Sequence, residues 1–373
     1  MRFTIDKEQF LKSLNAASKA VPSKSASPYL TNLKLELNEK GLEILGSNGD
    51  ISIKATVPYM VNDREIIRNV GLGATLVNSR ILTEIVRNVE GGELSVEVID
   101  AAVMKIDDSR SSFKLNCIKA EEYPDIDLER SGTEIKISCY AFASLVDQSA
   151  FAASNKDVRP ILTALHLEAE NGKLVATATD SARLARKEIT IDDNTRFACN
   201  VPAKTVSDIV HMFDNAKEVI VSVSPKKILF DFDNVIVASR LIPGEYPVTR
   251  SIIPTVFNYT LEANAAELLS AMNRVRILSA DTEPVVTITM REEEVEVSAK
   301  SDTNGSALEK ISTYQYAGER LSVSFNSQFV IDAIKALKCE DVTICFMGEM
   351  KPFVVKNPKD NSVVELITPM RTF

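Results

Sequence analysis

The side chains that most often perform catalysis are few in this chain and poorly spaced for it. Among 373 residues there are two histidines, and His166 lies in an alternating apolar pattern typical of a strand, where a structural role is the simpler interpretation. No HExxH, GxSxG, Walker or glycine-rich dinucleotide motif occurs, and only 13 residues are glycine. These features argue against metalloprotease, hydrolase and nucleotide-binding chemistry.

Adjacent carboxylates are the remaining candidates for chemistry. They occur at Asp107-Asp108 and Asp192-Asp193, and three glutamates follow one another from Glu292. Neighbouring side chains on a strand or turn point in different directions, so these pairs are poorly placed to hold one metal ion. The glutamate run is typical of a solvated turn. We therefore expect no catalytic residue, no metal and no cofactor.

The composition is that of an ordinary globular protein with an acidic balance: 45% hydrophobic, 25% charged and a formal charge of −9. No apolar run of about 18 residues occurs, so no membrane span is expected. The segment from Met1 to Asp6 reads as a strand and not as a signal peptide. Five scattered cysteines favour a reducing cytoplasm with free thiols. The acidic charge disfavours nucleic acid unless basic residues are gathered on one surface.

An internal repeat organises the chain. Three prolines each begin an alternating strand pattern that leads through a turn to a second strand: Pro28, Pro160 and Pro284. Asn78, Pro202 and Asn326 each begin a segment opening an apolar-periodic helix, and both intervals are 124 residues. Glu122-Tyr123-Pro124 returns 123 residues later as Glu245-Tyr246-Pro247. We predict three tandem domains, at residues 1–125, 126–253 and 254–373.

Each domain shows the same order of elements. A strand (Phe3–Ile5) precedes a helix with apolar positions at helical spacing, a strand pair follows, and then a second helix and more strands. The apolar helix positions of the first domain are Phe10, Leu11, Leu14 and Ala17, then Ile81, Leu82, Ile85, Val86 and Val89. The second helices of the later domains are predicted at Ser207–Phe213 and Val330–Leu337. Two helices and about eight strands per domain predict an α+β fold whose antiparallel sheets could pair edge to edge.

Simple geometry shows what such domains could surround. A domain of about 124 residues is roughly 35 Å across as a sphere. Six such spheres in a ring leave a hole of about 35 Å, whereas three leave about 5 Å. Duplex DNA is roughly 20 Å wide. A head-to-tail dimer could therefore encircle a duplex, a monomer could not, and two-fold dimers are the commonest homo-oligomers.

The sequence resembles the bacterial DNA polymerase III beta subunit family, the beta sliding clamps, over essentially its whole length. The resemblance lies in the three-domain organisation, the Met-Arg-Phe-Thr opening, and three later motifs: Thr179-Asp180-Ser181-Ala182-Arg183-Leu184, Gly244-Glu245-Tyr246-Pro247 and Thr368-Pro369-Met370-Arg371. The family tail is usually Met-Pro-Met-Arg followed by one residue. Here Thr368 replaces the first methionine and Thr372-Phe373 follow, so the rim of the pocket described next differs from the family pattern.

The resemblance implies a homodimeric ring that a clamp loader places around double-stranded DNA. The ring would bind the duplex without sequence preference. It also implies a hydrophobic pocket in each protomer that binds short clamp-binding peptides of the DNA polymerase III catalytic subunit, other polymerases and repair proteins. The matching pocket positions are Leu162, Thr179, Ser181, Ala182, Arg183, Leu184, Pro247, Ile252, Leu366, Thr368, Pro369, Met370 and Arg371. Apolar side chains would form the groove, Met370 would adapt to varied partners, and Arg183 and Arg371 would meet a peptide's polar end. Leu162 and Leu184 could equally be ordinary core residues.

Two further surfaces follow from the same resemblance. The dimer contact would join the end of the first domain to the start of the third, through Phe113, Leu115, Ile277 and Leu278, unless these are core residues. The DNA-facing positions would lie on helices and in two loops: Lys12, Lys24, Arg80, Asn155, Lys156, Arg159, Lys204, Arg274 and Lys335. Such contacts neutralise phosphates without reading bases, although a charge on a helix is often only a solvated face.

Two other classes of protein remain compatible with the repeat. One is a β-rich enzyme with an active site between domains, which would bring titratable side chains together in a cleft. The other is a structural or chaperone-like ring that binds no nucleic acid. A sliding clamp instead requires basic residues on its inner helices.

Overall fold

The computed structural model describes residues 1–156, 158–192, 194–279 and 284–371. Two units can be distinguished: Met1–Cys139 with His211–Leu241, and Tyr140–Val210 with Ile242–Phe373. Asp193 and the tail residues Thr372 and Phe373 lie outside the described residues.

The first third of the chain forms two helices and eleven strands, three more strands than expected. They are β1 (Arg2–Asp6), α1 (Lys7–Ser18), β2 (Asn32–Asn38), β3 (Gly41–Ser47), β4 (Ile51–Val57), β5 (Met60–Val61), β6 (Arg64–Glu65), β7 (Ile67–Gly71), β8 (Gly73–Asn78), α2 (Ser79–Asn88), β9 (Glu93–Ile99), β10 (Val103–Asp107) and β11 (Ser112–Ile118). The predicted first strand and both predicted helices of the first domain are present.

The later thirds repeat this order within the described residues. The central third contains β12 (Thr133–Ser138), α3 (Cys139–Asp147), β13 (Ala164–Glu170), β14 (Lys173–Thr179), β15 (Arg183–Thr190), β16 (Phe197–Pro202), α4 (Ala203–Val210), β17 (Glu218–Val223), β18 (Lys227–Phe232) and β19 (Val235–Arg240). The last third contains β20 (Tyr259–Asn264), α5 (Ala265–Val275), β21 (Val285–Arg291), β22 (Glu294–Ser301), β23 (Gly305–Ile311), β24 (Tyr314–Ala317), β25 (Leu321–Asn326), α6 (Ser327–Leu337), β26 (Asp341–Phe346), β27 (Phe353–Asn357) and β28 (Asp360–Ile367).

The helices begin where the repeated anchors placed them. The side chains of Asn78 and Asn326 accept hydrogen bonds from the amides of Ile81 and Gln328, which satisfies donors that a helix start leaves unpaired. The predicted helix at Ser207–Phe213 is shifted, because α4 runs from Ala203 to Val210. Phe213 lies beyond its end and packs edge-on against Phe232, with ring centroids 4.9 Å apart. Phe213 is therefore apolar because it packs against Phe232 and not because it belongs to the helix.

Neighbouring domains share sheets edge to edge, as expected. In the first unit β4 pairs with β19 within a thirteen-stranded antiparallel sheet, with Ser52 opposite Ala238. In the second unit β15 pairs with β28 within a nine-stranded sheet, with Leu184 opposite Leu366. Each pairing satisfies the backbone groups of two edges that would otherwise be exposed.

The helices cover apolar sheet faces. Phe10, Leu14 and Ala17 of α1 are buried in the core of the first domain, as their helical spacing predicted. Helices α5 and α6 bury their apolar sides in a second core, which includes Leu268 and Ile334. These burials remove the apolar stripe of each helix from water, which is the main stabilisation available to short helices.

The residue types considered for chemistry have structural partners. His166 lies on β13, where its Nδ1 is 2.8 Å from Asn200 Oδ1 and its ring stacks on Tyr246 at 4.8 Å. The structural interpretation of His166 is therefore confirmed. In the described part of the chain, no group of three or more histidine, cysteine or acidic side chains is placed to hold a metal ion. No helix there is long and apolar enough to cross a membrane. The five cysteines are free thiols.

Candidate peptide-binding site

The turn between β14 and β15 is built by its own side chains. Thr179 Oγ1 donates to the carbonyl of Arg183 at 2.5 Å and accepts from the amide of Ser181 at 3.1 Å. Asp180 Oδ1 accepts from the amides of Ala182 and Arg183, both at 3.0 Å. Ser181 has φ of +81°, in the left-handed region that favours glycine, and the hydrogen bonds of the turn hold it there.

The C-terminal tail docks beside this turn, although 182 residues separate Leu184 from Leu366. The amide of Thr368 donates to the carbonyl of Ala182 at 2.9 Å, and the amide of Met370 donates to the carbonyl of Ser324 at 2.7 Å. Pro369 is buried between these two bonds, Met370 is half-buried, and Thr368 and Arg371 are exposed. The backbone is therefore fixed while two tail side chains stay accessible.

An apolar cluster lies on one face of the β15–β28 pair. Leu184 and Leu366 are directly opposite each other and pack with Val354, and Ile253, Phe257 and Val364 cover the cluster in part. Leu162 is also buried, in a short 3-10 helix at Pro160–Thr163 whose end is fixed by a bond from Ser154. In the free chain these leucines are thus core-like, as the alternative interpretation allowed. Two of the predicted pocket residues, Pro247 and Ile252, are exposed. The residue that packs on the apolar cluster is Ile253, which the sequence-based prediction did not include.

Arg183 has a different role from the one expected. Its guanidinium bonds Asp180 at 3.0 Å, Asp332 at 2.8 Å and the carbonyl of Phe151 at 2.9 Å. It also lies over the rings of Phe151 and Phe329, at 5.5 and 4.6 Å from their centroids. With 11% of the side chain exposed and every nitrogen engaged, Arg183 holds the turn and α6 in place instead of meeting a peptide's polar end. Arg371 is exposed, and its contact with a peptide's polar end stays a prediction.

Glu365 lies beside Arg183, on the face of β28 opposite the apolar cluster. It sits across from Ala185 and Val355, is 2% exposed, and among the described residues its Oε1 has no hydrogen-bond partner. Burial raises the pKa of Glu365 well above its usual range, and the positive charges of Arg183 and Lys187 offset this only in part. Glu365 is therefore protonated in the folded protein over a pH range where it is ionised in the unfolded chain.

Glu365→Gln is expected to remove a pH-dependent loss of stability. The raised folded pKa means that wild-type stability is fully present below the unfolded value near 4.5 and is lost as pH rises toward the folded value. The free energy of unfolding of the glutamine variant, relative to that of wild type, should therefore increase from acidic to mildly alkaline pH. Urea unfolding at both pH values measures this. The exposed Glu97→Gln serves as control. If the stability difference between Glu365→Gln and wild type changes with pH as little as that of the control, the raised pKa of Glu365 is refuted.

The predicted DNA-facing cations of the first unit differ in their surroundings. Lys12 on α1 pairs with Asp214 at 2.8 Å, so its charge is already balanced, whereas Lys24 and Arg80 are exposed and have no ion-pair partner in the described residues. Arg80 lines a cavity of about 640 Å³ together with Arg87 and the hydroxyl side chains Ser18, Ser79 and Thr83. Arg87 lies two helical turns after Arg80 and pairs with Glu84 at 2.8 Å, so its charge, like that of Lys12, is already balanced.

The second unit shows the same contrast. Arg274 on α5 makes a two-pronged pair with Glu309 at 2.5–3.0 Å. Lys204 on α4 and Lys335 on α6 are exposed without an ion-pair partner among described residues. Asn155, Lys156 and Arg159 lie in the exposed loop after α3, next to Asp157, which is outside the described residues. Five of the nine predicted positions therefore lie on helices, of which two carry charges already paired within the chain.

The residues of the predicted dimer contact lie on strand β11 and beside strand β23. Phe113 and Leu115 lie on β11. One side of this strand pairs with β10, and on the other side only Cys117 and Ile118 pair with β8, so residues 112–116 have no strand partner there. Ile277 and Leu278 lie in a short helical turn that packs beside β23, the edge strand of its four-stranded sheet. Ile277 is 73% exposed, whereas Leu115 is 7% exposed and belongs to the core of the first domain. In the single chain, Leu115 thus fits the core alternative.

Tandem two-helix domains that share antiparallel sheets edge to edge are the architecture of the sliding clamps. Three family models match the chain: the N-terminal domain of the DNA polymerase III beta subunit over residues 1–127, its central domain over 136–248 and its C-terminal domain over 250–371. The beta sliding clamp of Bacillus subtilis is 32% identical over 378 residues, and that of Streptococcus pneumoniae is 32% identical over 377, each covering 100% of both chains. The crystal structure of the Bacillus subtilis clamp superimposes with a TM-score of 0.96 at 31% identity, with 100% of both chains covered. The chain belongs to the DNA polymerase III beta subunit family, and its function is that of a sliding clamp in processive DNA replication.

Proposed function

We propose that the protein works without chemistry of its own, as a homodimeric ring that encircles double-stranded DNA in the cytoplasm and tethers the polymerase. A clamp loader would place the ring on DNA, and clamp-binding peptides of the polymerase, of other polymerases and of repair proteins would dock on the apolar cluster and tail. Binding by topology needs no catalytic groups, only a closed chain of domains and a surface for partners.

The observation that carries this proposal is the junction between neighbouring domains, which is an antiparallel pairing of one strand from each. This junction occurs twice within the chain, and the two strands that could form a third are not paired in this way. β4 of the first domain pairs with β19 of the second, and β15 of the second pairs with β28 of the third. The equivalent strands still without such a pairing in the described residues are β23 of the third domain and β11 of the first. Pairing β23 of one protomer with β11 of another would close two more junctions of the same kind and give a closed head-to-tail dimer.

DNA retention by a ring depends on the topology of the DNA. We expect the protein, placed by a clamp loader on a nicked circular duplex, to stay bound through gel filtration and to be lost when the circle is cut with a restriction enzyme. Sliding off a free end requires no dissociation of the dimer. Equal retention on circular and linear DNA would contradict encirclement and favour ordinary surface binding.

Residual contact with DNA should be weak, insensitive to sequence and dependent on salt. Replacing Lys24 and Lys204 with glutamine is expected to lower the salt slope of binding by up to about two per protomer, because each contact with a phosphate releases roughly one counterion. The variant Lys40→Gln with Lys351→Gln loses the same charge at exposed positions outside the predicted DNA surface and serves as control. If both double variants reduce the slope equally, net charge and not position governs binding.

A further inference from the structure

The turn that builds the candidate peptide site is repeated at the junction of the first and second domains. Ser47 Oγ lies 3.2 Å from the carbonyl of Ile51, to which it donates, and accepts from the amide of Gly49 at 3.0 Å, as Thr179 does with Arg183 and Ser181. Asn48 Oδ1 accepts from the amides of Asp50 and Ile51 at 2.9 and 2.8 Å, in the manner of Asp180. Gly49 has φ of +92°, close to the +81° of Ser181.

The strand that follows is also placed in the same way. The amide of Arg240 donates to the carbonyl of Asp50 at 2.9 Å, and the amide of Thr368 donates to the carbonyl of Ala182 at the same distance. Ser52 faces Ala238 where Leu184 faces Leu366. The first junction thus has the backbone of the candidate peptide site with different side chains on it.

A cavity of about 610 Å³ opens over this turn, which we name the first-junction cleft. Its walls are the turn itself with Leu30, the segment Pro124–Asp127, and the hairpin Ser224–Lys227. Lys227 Nζ bonds the carbonyls of Asp127 and Glu129 at 3.1 and 3.0 Å and the carboxylate of Asp127 at 2.6 Å. The Lys227 side chain therefore connects the hairpin to the segment Pro124–Asp127 and fixes the distance between these two walls of the cleft.

The side chains of the first-junction cleft define a different ligand from that of the candidate peptide site. Ser52 and Ala238 are shorter than the leucines at the equivalent positions, so the floor is deeper, while Leu30 and Ile126 provide apolar walls. Two exposed side chains of the lining have no ion-pair partner among the described residues, the cation Lys226 and the carboxylate Asp125. Arg240 pairs with Asp50 at 3.5 Å, but both side chains are about three-quarters exposed, and such a pair is weak enough for a ligand carboxylate to replace.

We propose that the first-junction cleft is a second peptide-binding site, selective for an extended segment with an aromatic side chain next to an acidic one. The aromatic ring would fill the deep floor between Leu30 and Ile126, and the carboxylate would meet Lys226 and Arg240. The inference rests on the internal repeat and extends the proposed peptide-binding function to a second junction.

Methyl NMR of the full-length protein tests the proposal with two capped tetrapeptides, acetyl-Ser-Phe-Asp-Gly-amide and acetyl-Ser-Phe-Lys-Gly-amide. We expect the acidic peptide to shift the methyl signals of Leu30 and Ile126, and to bind at least fivefold more tightly than the lysine peptide. Lys226→Gln with Arg240→Gln should abolish this preference without disturbing packing, since both side chains are exposed. Ala238→Leu, which fills the floor as Leu366 does, should weaken binding of both peptides at least tenfold.

A consensus clamp-binding peptide followed at the methyls of Leu162 and Leu184 in the same samples separates the two sites. Its binding should be unchanged in these variants, which also shows that they are folded. The absence of shifts at Leu30 and Ile126 at millimolar peptide, or equal binding of both peptides before and after the charge substitutions, overturns the second site. Failure of the consensus peptide alone overturns the proposed function and leaves the first-junction cleft standing.

Discussion

Replacing Ile277 and Leu278 with alanine is expected to convert the dimer to monomers. Ile277 is the most exposed of the four predicted contact residues, and both side chains lie beside β23, the edge proposed to pair with β11 of the second protomer. A central apolar contact contributes about 2 kcal/mol or more to binding, and the proposed dimer contains the Ile277 and Leu278 contact twice. The double variant should therefore raise the dissociation constant of the dimer by more than about a thousandfold. Sedimentation velocity across a dilution series measures this change.

The matched control removes two exposed apolar residues elsewhere. Met60→Ala with Leu72→Ala deletes similar side chains in the first domain, away from β11 and β23, and should leave sedimentation unchanged. Far-ultraviolet circular dichroism and the melting temperature of both variants verify folding. An unaltered dimer in the Ile277/Leu278 variant would move the contact to another surface.

The sequence predicted the fold well because its strongest signals are local. Asn78 and Asn326 begin helices by capping them with their own side chains, and a cap needs no information beyond the next three residues. These two caps and Pro202, spaced 124 residues apart, predicted three domains without any long-range contact. The end of α4 was misplaced because Phe213 is apolar for a tertiary reason, its packing on Phe232.

The site was harder to predict because side chains that are distant in sequence decide its chemistry. The family motif singled out Arg183, but its partners Phe151, Phe329 and Asp332 lie up to 149 residues away in the sequence. The sequence therefore could not show that the guanidinium is engaged within the chain. The same holds for Lys12, whose partner Asp214 is 202 residues distant. Ser47 and Thr179 occupy equivalent positions in two turns. This became visible only in the structure, where each hydroxyl donates to the carbonyl four residues later.

Removing the last six residues, Thr368 to Phe373, is expected to abolish binding of clamp-binding peptides and of the polymerase while leaving the dimer intact. The tail is the segment that the amides of Thr368 and Met370 fix against the turn at Ala182 and against Ser324. Its loss removes Met370 as the adaptable wall of the proposed site and Arg371 as its exposed cation. Fluorescence polarisation with a labelled consensus clamp-binding peptide measures the loss, which should exceed a hundredfold.

A shorter truncation provides the control for the tail. Removing only Thr372 and Phe373 keeps both backbone bonds and every predicted pocket residue, so peptide affinity should remain within about twofold of wild type, the effect expected away from a binding centre. Neither truncation touches β11, β23 or the turn at Ile277, so sedimentation should report dimers for both. Unchanged peptide affinity after the six-residue deletion would mean that the tail only ends β28 and that peptides dock elsewhere. Loss of the dimer in the same variant would instead connect the tail to the folding of the third domain, through the bond between Met370 and Ser324 of β25.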